Sequence, residues 1–456
     1  MSKDTLRQDF QDQLQLLLDF GRWVPVASYA GLMAGTASAL LIASLTLATS
    51  IREHHIWLIL LLGPAGWAVG MVYKRFGSSV EAGNNLILEQ VHDPHEVLPL
   101  RMTPLIMLAT FVSHVFGGSV GREGTAIQTG ASLADQLSRP LRMTPDERRM
   151  LLMAGMSAGF ASVFGAPMAG AIFGIEVLAI GSMTYDAIAP CLLAAFLGNI
   201  VTEQWAKIIP GIHDCIYSAG LVPSLSVERV VYAVLAGVVF GLTGMAFAKT
   251  AHAIEHLVQH TIARPEFRPI AGGVVITVAV FGLGYSHMHR YIGLGLPTIA
   301  ASFQDKLPVY VWFGKFLSTA VTLGTGFKGG EVTPLFYIGS TLGNALSHIL
   351  PLPMKLLAGM GYVAVFAGAA NTPLAASFMA FEVFGPQAGA YASIACVVSY
   401  LFSGNAGIYA SQRMARSKHA DGLSLAILSK LRGETRADGE AAQKERAERA
   451  QNEHVG

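Results

Sequence analysis

Apolar stretches alternate with short polar segments along most of the chain, and this pattern predicts membrane-embedded helices. Many stretches are shorter than the roughly 20 residues that a spanning helix needs, and several end at Gly or Pro, as at Gly165–Pro167 and Asn371–Pro373. Short, interrupted apolar segments are typical of discontinuous helices that end inside the membrane. We therefore expect an all-α polytopic membrane protein. The stretches lie at about 26–50, 56–73, 104–116, 151–164, 168–183, 187–202, 230–250, 269–285, 309–324, 334–350, 356–370, 374–384 and 388–402.

Polar segments at both ends of the apolar region predict the domain boundaries. Residues 1–25 are expected to form a cytoplasmic amphipathic helix at the membrane interface, because Leu and Phe recur among polar residues there. Residues 26–415 form the predicted transmembrane domain, and residues 416–456 form a predicted charged cytoplasmic tail. The Arg-rich loop 139–149 and three basic residues after the last apolar stretch place both termini in the cytoplasm. Those three residues are Arg413, Arg416 and Lys418.

Composition narrows the class of protein. Of the 456 residues, 52% are hydrophobic and only 13% are charged, against about 25% charged in soluble domains. This excludes a set of soluble domains and a disordered chain. A net charge of +1 offers no basic excess for a nucleic-acid partner. The widely spaced Cys191, Cys215 and Cys396 suggest neither a disulfide framework nor a zinc site, and no cofactor is expected.

An internal repeat divides the apolar region into two halves, at about 26–205 and 228–415. In each half a Gly-rich segment precedes a second segment in which Pro stands nine residues before Glu. Two matches in the same order at similar spacing indicate duplicated halves, which together with broken helices suggest a transporter or channel. The sequence leaves open whether the halves are inverted. The segments are 121–134 and 166–176 in the first half, and 329–343 and 372–382 in the second.

The Gly-rich turn 117–125 is the first candidate site. A turn that opens a helix leaves backbone N–H groups unpaired at the positive end of the helix dipole, so it attracts anions. Glu123 stands at this turn, and its own carboxylate can take the place of an anion and leave when protonated. The alternative is that Glu123 only caps the helix and pairs with Arg122. A carboxylate in a membrane domain is costly and usually functional, which favours the first interpretation.

A second Gly-rich turn at 326–334 leads into another predicted helix. The backbone amides of Glu331, Val332 and Thr333 are candidates to line an anion site, with the Thr333 hydroxyl as a further donor. The alternative is a tight helix crossing that uses Gly only for close approach.

Two weaker candidates complete the set of predicted donors. The amides of Asn84 and Asn85 can donate to an anion, although paired Asn residues are more often turn residues. Tyr409 follows the last apolar stretch, where its hydroxyl can face a pore or simply belong to the aromatic belt.

Two patterns suggest other functions. GxGxxG at 324–329 follows no predicted strand, so it does not indicate a dinucleotide site. His252, Glu255 and His256 fit an HxxEH metal pattern, with His260 one helical step further. A solvated histidine face is the favoured interpretation, and a membrane metallopeptidase remains a distant alternative. The absence of a Walker A pattern argues against ATP-driven transport.

Taken in order, these motifs resemble the CLC family of anion channels and proton-coupled antiporters, over residues 30–415. The resemblance implies two inverted halves with tilted, broken helices, a homodimer with one pore per subunit, and transport rather than enzyme activity. By motif, Glu123 corresponds to the gating glutamate and Tyr409 to the central pore tyrosine. Glu331, Val332 and Thr333 fall in the segment whose amides hold the anion, and Asn85 falls at the usual serine of GSGIP.

Three departures from the common motifs resemble the fluoride-exporting CLC-F branch. They are GNNLI for GSGIP, GREGT for GREGP and GGEVTP for GGxFxP. The implied function is fluoride/proton antiport that exports fluoride across a bacterial inner membrane. The alternative is a chloride/proton exchanger or a chloride channel. Val177 replaces the second of two adjacent acids in many family members, which leaves the inner proton route open. Glu176 matches the first acid, for which we favour a role in helix contacts.

Overall fold

The structure, a computed structural model, describes residues 3–212, 217–415 and 418. It confirms the all-α membrane architecture. Two short strands, β1 (Ala179–Ile180) and β2 (Arg413–Met414), pair in parallel. The helices are α1 Lys3–His54, α2 Leu62–Val72, α3 Asn84–His92, α4 Met102–Val115, α5 Glu123–Ala134, α6 Pro145–Phe164, α7 Pro167–Glu176, α8 Ile188–Ala206, α9 Val227–Thr261, α10 Arg268–Gly282, α11 Tyr285–Met288, α12 Leu296–Ser302, α13 Val311–Gly324, α14 Val332–Leu346, α15 Met354–Ala370, α16 Pro373–Phe384 and α17 Pro386–Phe402.

The first helix continues through the predicted boundary at residue 25. α1 is one helix of 52 residues with Pro25 inside it, so no break in the helix marks that boundary. Proline removes one backbone hydrogen bond, but Val26, Ala27 and Ala30 directly after it are buried in a cluster with α6 and α8. This packing stabilises the continuous helix. The predicted tail 416–456 lies outside the described residues, apart from Lys418.

Short and long helices coexist as the sequence pattern predicts. In the described part of the chain, five helical stretches are long and apolar enough to cross a membrane, and several other apolar helices have only 10–17 residues. On α9 one face exposes Val231, Leu235 and Leu242, each at 45% or more. Such a large exposed apolar surface fits contact with lipid. The five stretches long enough to cross a membrane are Phe20–His54, Ile56–His92, Tyr185–Ala206, Val227–Thr261 and Pro265–Gly282.

The two halves are inverted relative to each other, because equivalent helices α7 and α16 run antiparallel. The Glu382 carboxylate on α16 accepts hydrogen bonds of 2.8 and 2.9 Å from amides at the start of α7. The Glu176 carboxylate at the end of α7 accepts bonds of 2.9 and 2.8 Å from amides at the start of α16. Each glutamate therefore caps the positive end of the other helix. The donors are the backbone amides of Met168, Ala169, Leu374 and Ala375.

Glycines let the short central helices cross without side chains between them. A Cβ on Gly130 of α5 would lie 2.2 Å from the Gly155 carbonyl oxygen of α6. At the equivalent crossing of α14 and α15, a Cβ on Gly339 would lie 1.9 Å from the Gly361 oxygen. These close crossings hold α5 and α14 at the centre of the molecule, with their first residues meeting in its interior.

Candidate ion pathway

Two Gly-rich turns, one from each half, pair at the centre of the molecule. The Gly121 amide donates to the Gly330 carbonyl at 2.6 Å, and the Gly330 amide donates back to Gly121 at 2.8 Å. A side chain on Gly330 has no space, since a Cβ there would lie 2.8 Å from the Gly124 nitrogen. The pairing brings the N-terminal ends of α5 and α14 to the same point, so their free amides converge.

The Glu123 carboxylate occupies this point and is fully buried. One carboxylate oxygen accepts hydrogen bonds from the amides of Arg122, at 3.1 Å, and Thr333, at 3.0 Å. The other accepts from the Thr333 hydroxyl and lies 3.8 Å from the Arg122 Nε. The structure therefore brings the two predicted residues Glu123 and Thr333 into direct contact, with donors from both halves.

The balance of energies explains why a carboxylate is stable there. An acid at the middle of a membrane helix costs about 2.5–3.5 kcal/mol, whereas each hydrogen bond to a charged group contributes about 1.5–3 kcal/mol. Three donors and two helix ends thus offset the cost of the ionised side chain. A protonated Glu123 is a weaker acceptor, and the same donors then favour a free anion. The site suits one anionic group at a time, either the side chain or a mobile ion.

A cavity of about 300 Å³ extends from the paired turns toward one face of the molecule. Most of its polar lining comes from the elements that the motifs predicted. Its position therefore fits an ion path that reaches Glu123 from that face. The polar lining includes Asn84, Asn85, Gln128, Lys328, Glu331 and Tyr409.

The two asparagines at the start of α3 have different partners. The Asn85 side-chain oxygen accepts a hydrogen bond from the Ser411 amide at 3.2 Å, which links it to the segment after α17. Asn84 instead faces α5, since a Cβ on Gly124 would lie 3.0 Å from the Asn84 Nδ2. Its side-chain oxygen is buried with no hydrogen-bond partner among the described residues. Asn84, which the motif match passed over, is thus the amide nearer to Glu123.

The three predicted residues at the second turn also have different positions. Of their three amides, the Thr333 amide donates to Glu123. The side chain of Glu331 lines the cavity, whereas the Val332 side chain is buried. Gln128, which the sequence analysis missed, is buried and also lines the cavity. A polar residue four positions after Gly124 on a buried helix was the available signal, because residues four apart share a helix face.

Tyr409 is a buried residue of the cavity and not an exposed residue of an aromatic belt. Its side chain is 6% exposed, and its ring packs edge-on against Phe173 with centroids 6.5 Å apart. Tyr409 and Glu331 line the same cavity. The position of Tyr409 is therefore suited to a donor role in the path.

The segment after α17 carries Tyr409 and is hydrogen-bonded to the ends of two helices. The Gln412 amide donates to the Val177 carbonyl at 2.9 Å, at the end of α7. The Lys418 amine donates to the Tyr400 carbonyl at 2.8 Å and the Ser403 hydroxyl at 2.9 Å, at the end of α17. Burial lowers the pKa of the Lys418 amine to about 7. These contacts hold the backbone on both sides of Tyr409.

Of the four residues in and after the HxxEH pattern, two line the cavity and two lie outside its lining. His252 and Glu255 line the cavity, while the His256 and His260 rings pair with each other at 3.0 Å. Within the described ranges, no three His, Cys, Asp or Glu side chains are grouped as metal ligands. All four residues are exposed, as a solvated face requires, but two of them also belong to the path.

A series of contacts links the lining of the 300 Å³ cavity to the loop 139–149. Arg149 at the start of α6 donates to the Thr184 hydroxyl at 3.4 Å, close after β1. β1 pairs with β2, and Ser411 just before β2 contacts Asn85. These contacts connect the cavity lining to the loop. An ion pair of 2.6 Å between Arg22 and Glu147 places the first part of α1 on the same face.

A second cavity, of about 430 Å³, shares no lining residue with the first. It is lined by Arg52 and Glu53 near the far end of α1, and by Arg122 and Arg290. Three guanidinium groups against one carboxylate make this cavity electropositive. Arg122 links this cavity to the Glu123 site, because its side chain belongs to the cavity lining and its backbone amide donates to the Glu123 carboxylate.

Comparisons with known proteins agree with this geometry. The chain is 53% identical over 411 residues, 90% of both chains, to a chloride/fluoride channel protein of Pseudomonas syringae pv. tomato. It is 27% identical over 316 residues to the voltage-gated ClC-type chloride channel ClcB of Salmonella typhimurium, covering 65% of this chain and 71% of that one. The crystal structure of a CLC-type fluoride/proton antiporter matches with a TM-score of 0.82 and 33% identity, covering 87% of this chain and 99% of that one. The family model described as voltage gated chloride channel matches residues 65–404, and the chain therefore belongs to the CLC family.

Proposed function

We propose that this protein is a fluoride/proton antiporter, which exports cytoplasmic fluoride in exchange for protons. The observation that carries this is the Glu123 carboxylate, held by donors from both halves at the meeting point of two helix N-termini. When ionised it occupies the anion site. When protonated it releases the donors to an anion and holds one proton. Alternation between these two states couples anion movement to proton movement.

The donor set supports fluoride as the exported anion. Fluoride is small and strongly hydrated, so close and strong donors are needed to replace its water. The Thr333 hydroxyl and amide already contact Glu123, and the Asn84 amide lies beside Gly124. The likeness to a chloride/fluoride channel protein and to a fluoride/proton antiporter supports the same assignment.

The proposed setting is a bacterial inner membrane, with the 139–149 face and both termini in the cytoplasm, as the positive-inside rule favours. The 300 Å³ cavity is then the cytoplasmic entrance, and the 430 Å³ cavity is the exit. One chain supplies all the residues of the path. Together with the family resemblance, this supports a homodimer with one path in each subunit.

Parallel efflux measurements test the function. The purified protein is placed in liposomes loaded with fluoride or with chloride, and anion release and pH are followed together. We expect fluoride release to exceed chloride release and to be accompanied by proton uptake in a constant ratio. Chloride release that equals or exceeds fluoride release would assign the protein to chloride exchange instead. Fluoride release without proton movement would overturn the antiport mechanism.

A further inference from the structure

We infer that Glu255, together with His252, transfers protons between the cytoplasm and the cavity beneath the anion site. The inference rests on the proposed proton-coupled exchange and names the inner end of its proton route. It gives a role to the part of the HxxEH motif that faces the path.

The segment 173–178 supplies an acid to the inner proton route in many family members. Here its one carboxylate, that of Glu176, is already hydrogen-bonded. Both carboxylate oxygens of Glu176 accept amides of α16, so this side chain holds two helices together. Val177, the next residue, is apolar and buried. Glu382 is occupied in the equivalent way at the start of α7. A proton that leaves Glu123 toward the cytoplasm therefore needs an acid from another element.

Glu255 is placed where the ion path meets the cytoplasm. It lines the 300 Å³ cavity, and it also lines an adjoining cavity of about 790 Å³ that reaches α10 and the residues before it. Glu255 therefore stands at the junction of the two spaces. His252 lies three residues earlier on the same helix face and lines the inner cavity.

The cavity places Glu255 opposite the second Gly-rich turn. Its lining also includes Lys328 and Glu331, the two charged residues on either side of Gly329 and Gly330. One Glu255 oxygen accepts a hydrogen bond from Gln259 at 3.0 Å, which orients the carboxylate. Glu331 belongs to the turn whose Thr333 holds Glu123. Glu255 therefore lines the same cavity as the turn that supplies Thr333 to the anion site.

The other charged groups of the two cavities are engaged differently. The Lys328 amine donates to the Glu81 carbonyl at 3.2 Å and lies 5.0 Å from the Tyr73 ring centroid. Glu266 forms an ion pair of 2.5 Å with Lys74. The remaining titratable or charged lining residues are Glu81, Arg264, Arg268, Glu331 and Tyr409. Among them, Glu81 is a carboxylate at the same mouth, which makes it the natural comparison for Glu255.

The transfer requires no bond changes other than those of the proton. Water in the cavity delivers a proton to the Glu255 carboxylate, which becomes neutral and then releases the proton to His252 or to cytoplasmic water. An imidazole can both accept and donate a proton, which suits it to proton transfer. During export, fluoride leaves the cytoplasm and protons enter it. Glu255 and His252 therefore act mainly to release protons into the cytoplasm.

Four variants in liposomes test the inference through proton and fluoride fluxes recorded together. We expect Glu255→Gln to lower proton flux about tenfold and to lower the proton-to-fluoride ratio, and Glu255→Asp to restore both. His252→Asn is expected to weaken the dependence of proton flux on pH. His256→Asn is the matched control, since this ring pairs with His260 outside the cavity, and its fluxes should equal those of the wild type.

Glu81→Gln separates proton transfer from a general charge effect. It removes the same charge from the same mouth, and we expect an unchanged proton-to-fluoride ratio. If Glu255→Gln and Glu81→Gln both accelerate fluoride at a constant ratio, Glu255 only repels anions and the inference is wrong. An unchanged proton flux in Glu255→Gln overturns it as well. Failure of the antiport proposal is distinguishable, because the wild type itself would then move fluoride without protons.

Discussion

At the residue scale, Glu123 holds the position that an anion would occupy. We predict that Glu123→Gln abolishes proton coupling, because the amide has the same shape but cannot take up a proton and carries no charge to hold at the helix ends. Fluoride flux should persist while proton flux falls to the level of protein-free liposomes. The measurement is simultaneous recording with a fluoride electrode and a pH electrode. Glu228→Gln, which changes an exposed acid at the start of α9, is the control, and an unchanged proton flux in Glu123→Gln contradicts the prediction.

The Thr333 hydroxyl is the side-chain donor from the opposite half. Thr333→Val removes the hydroxyl and keeps the shape, and a lost hydrogen bond to a charged group costs about 1.5–3 kcal/mol. We therefore predict roughly tenfold weaker fluoride binding, measured by isothermal titration or by the fluoride dependence of flux. Thr333→Ser keeps the hydroxyl and should stay within about twofold of the wild type. Equal losses in both variants would point to packing and not to the hydroxyl.

The residue types at the site could be predicted from the sequence, but their exact neighbours could not. A carboxylate in a Gly-rich turn is unusual in an apolar chain, and this identified Glu123 as a candidate. The second Gly-rich turn identified Thr333 in the same way. Asn84 and Asn85 are adjacent and chemically identical, so only the rotation of α3 decides which one faces Gly124. Successive residues on a helix point about 100° apart, and no local signal specifies that rotation.

At the scale of elements, the reciprocal caps between α7 and α16 hold the two halves together. We predict that Glu176→Gln and Glu382→Gln each destabilise the protein by about 1.5–3 kcal/mol, the contribution of a hydrogen bond to a charged group. Each variant should unfold at a lower temperature in detergent, as followed by tryptophan fluorescence. Glu203→Gln on α8 changes an exposed acid and should leave the unfolding temperature unchanged.

The same variants decide between two roles for Glu176. A capping role lowers the unfolding temperature and leaves the proton-to-fluoride ratio unchanged. A loss of coupling at an unchanged unfolding temperature would instead give Glu176 a place in the proton route. The near-equal cap distances in the two halves, 2.8 and 2.9 Å, lead us to expect similar destabilisation from both substitutions.

The sequence pattern predicted most elements, and its failures have physical causes. The nine-residue spacing from Pro to Glu correctly indicated equivalent short helices, but the spacing contains no information on direction, so the inversion became apparent only from the caps. The helix continues through Pro25 because packing of Val26 and Ala27 against neighbouring helices outweighs the single hydrogen bond lost at Pro25. Such tertiary packing cannot be seen in a local window.

At the scale of the whole molecule, the proposed ion path includes two cavities of different charge. The 300 Å³ cavity is lined by three glutamates and one lysine, whereas the 430 Å³ cavity is lined by three arginines and one glutamate. An electropositive vestibule concentrates anions and its effect falls with ionic strength. In a protein that exports fluoride, this vestibule is expected to determine how strongly external fluoride binds and opposes further export.

Arg52 and Glu53 make this expectation testable because they are adjacent, line the same cavity and carry opposite charges. We predict that Arg52→Gln weakens the apparent affinity for external fluoride by up to about tenfold, whereas Glu53→Gln strengthens it. The measurement is inhibition of export by external fluoride, at low salt and at about 1 M salt, where charges are screened within roughly 3 Å. Arg52 also donates to the His114 carbonyl at 3.0 Å, so Arg52→Lys serves as the control that keeps the charge. If Arg52→Gln and Glu53→Gln shift the affinity in the same direction, or if the shifts persist at high salt, the cause is altered packing at the end of α1 and not the charge of the vestibule.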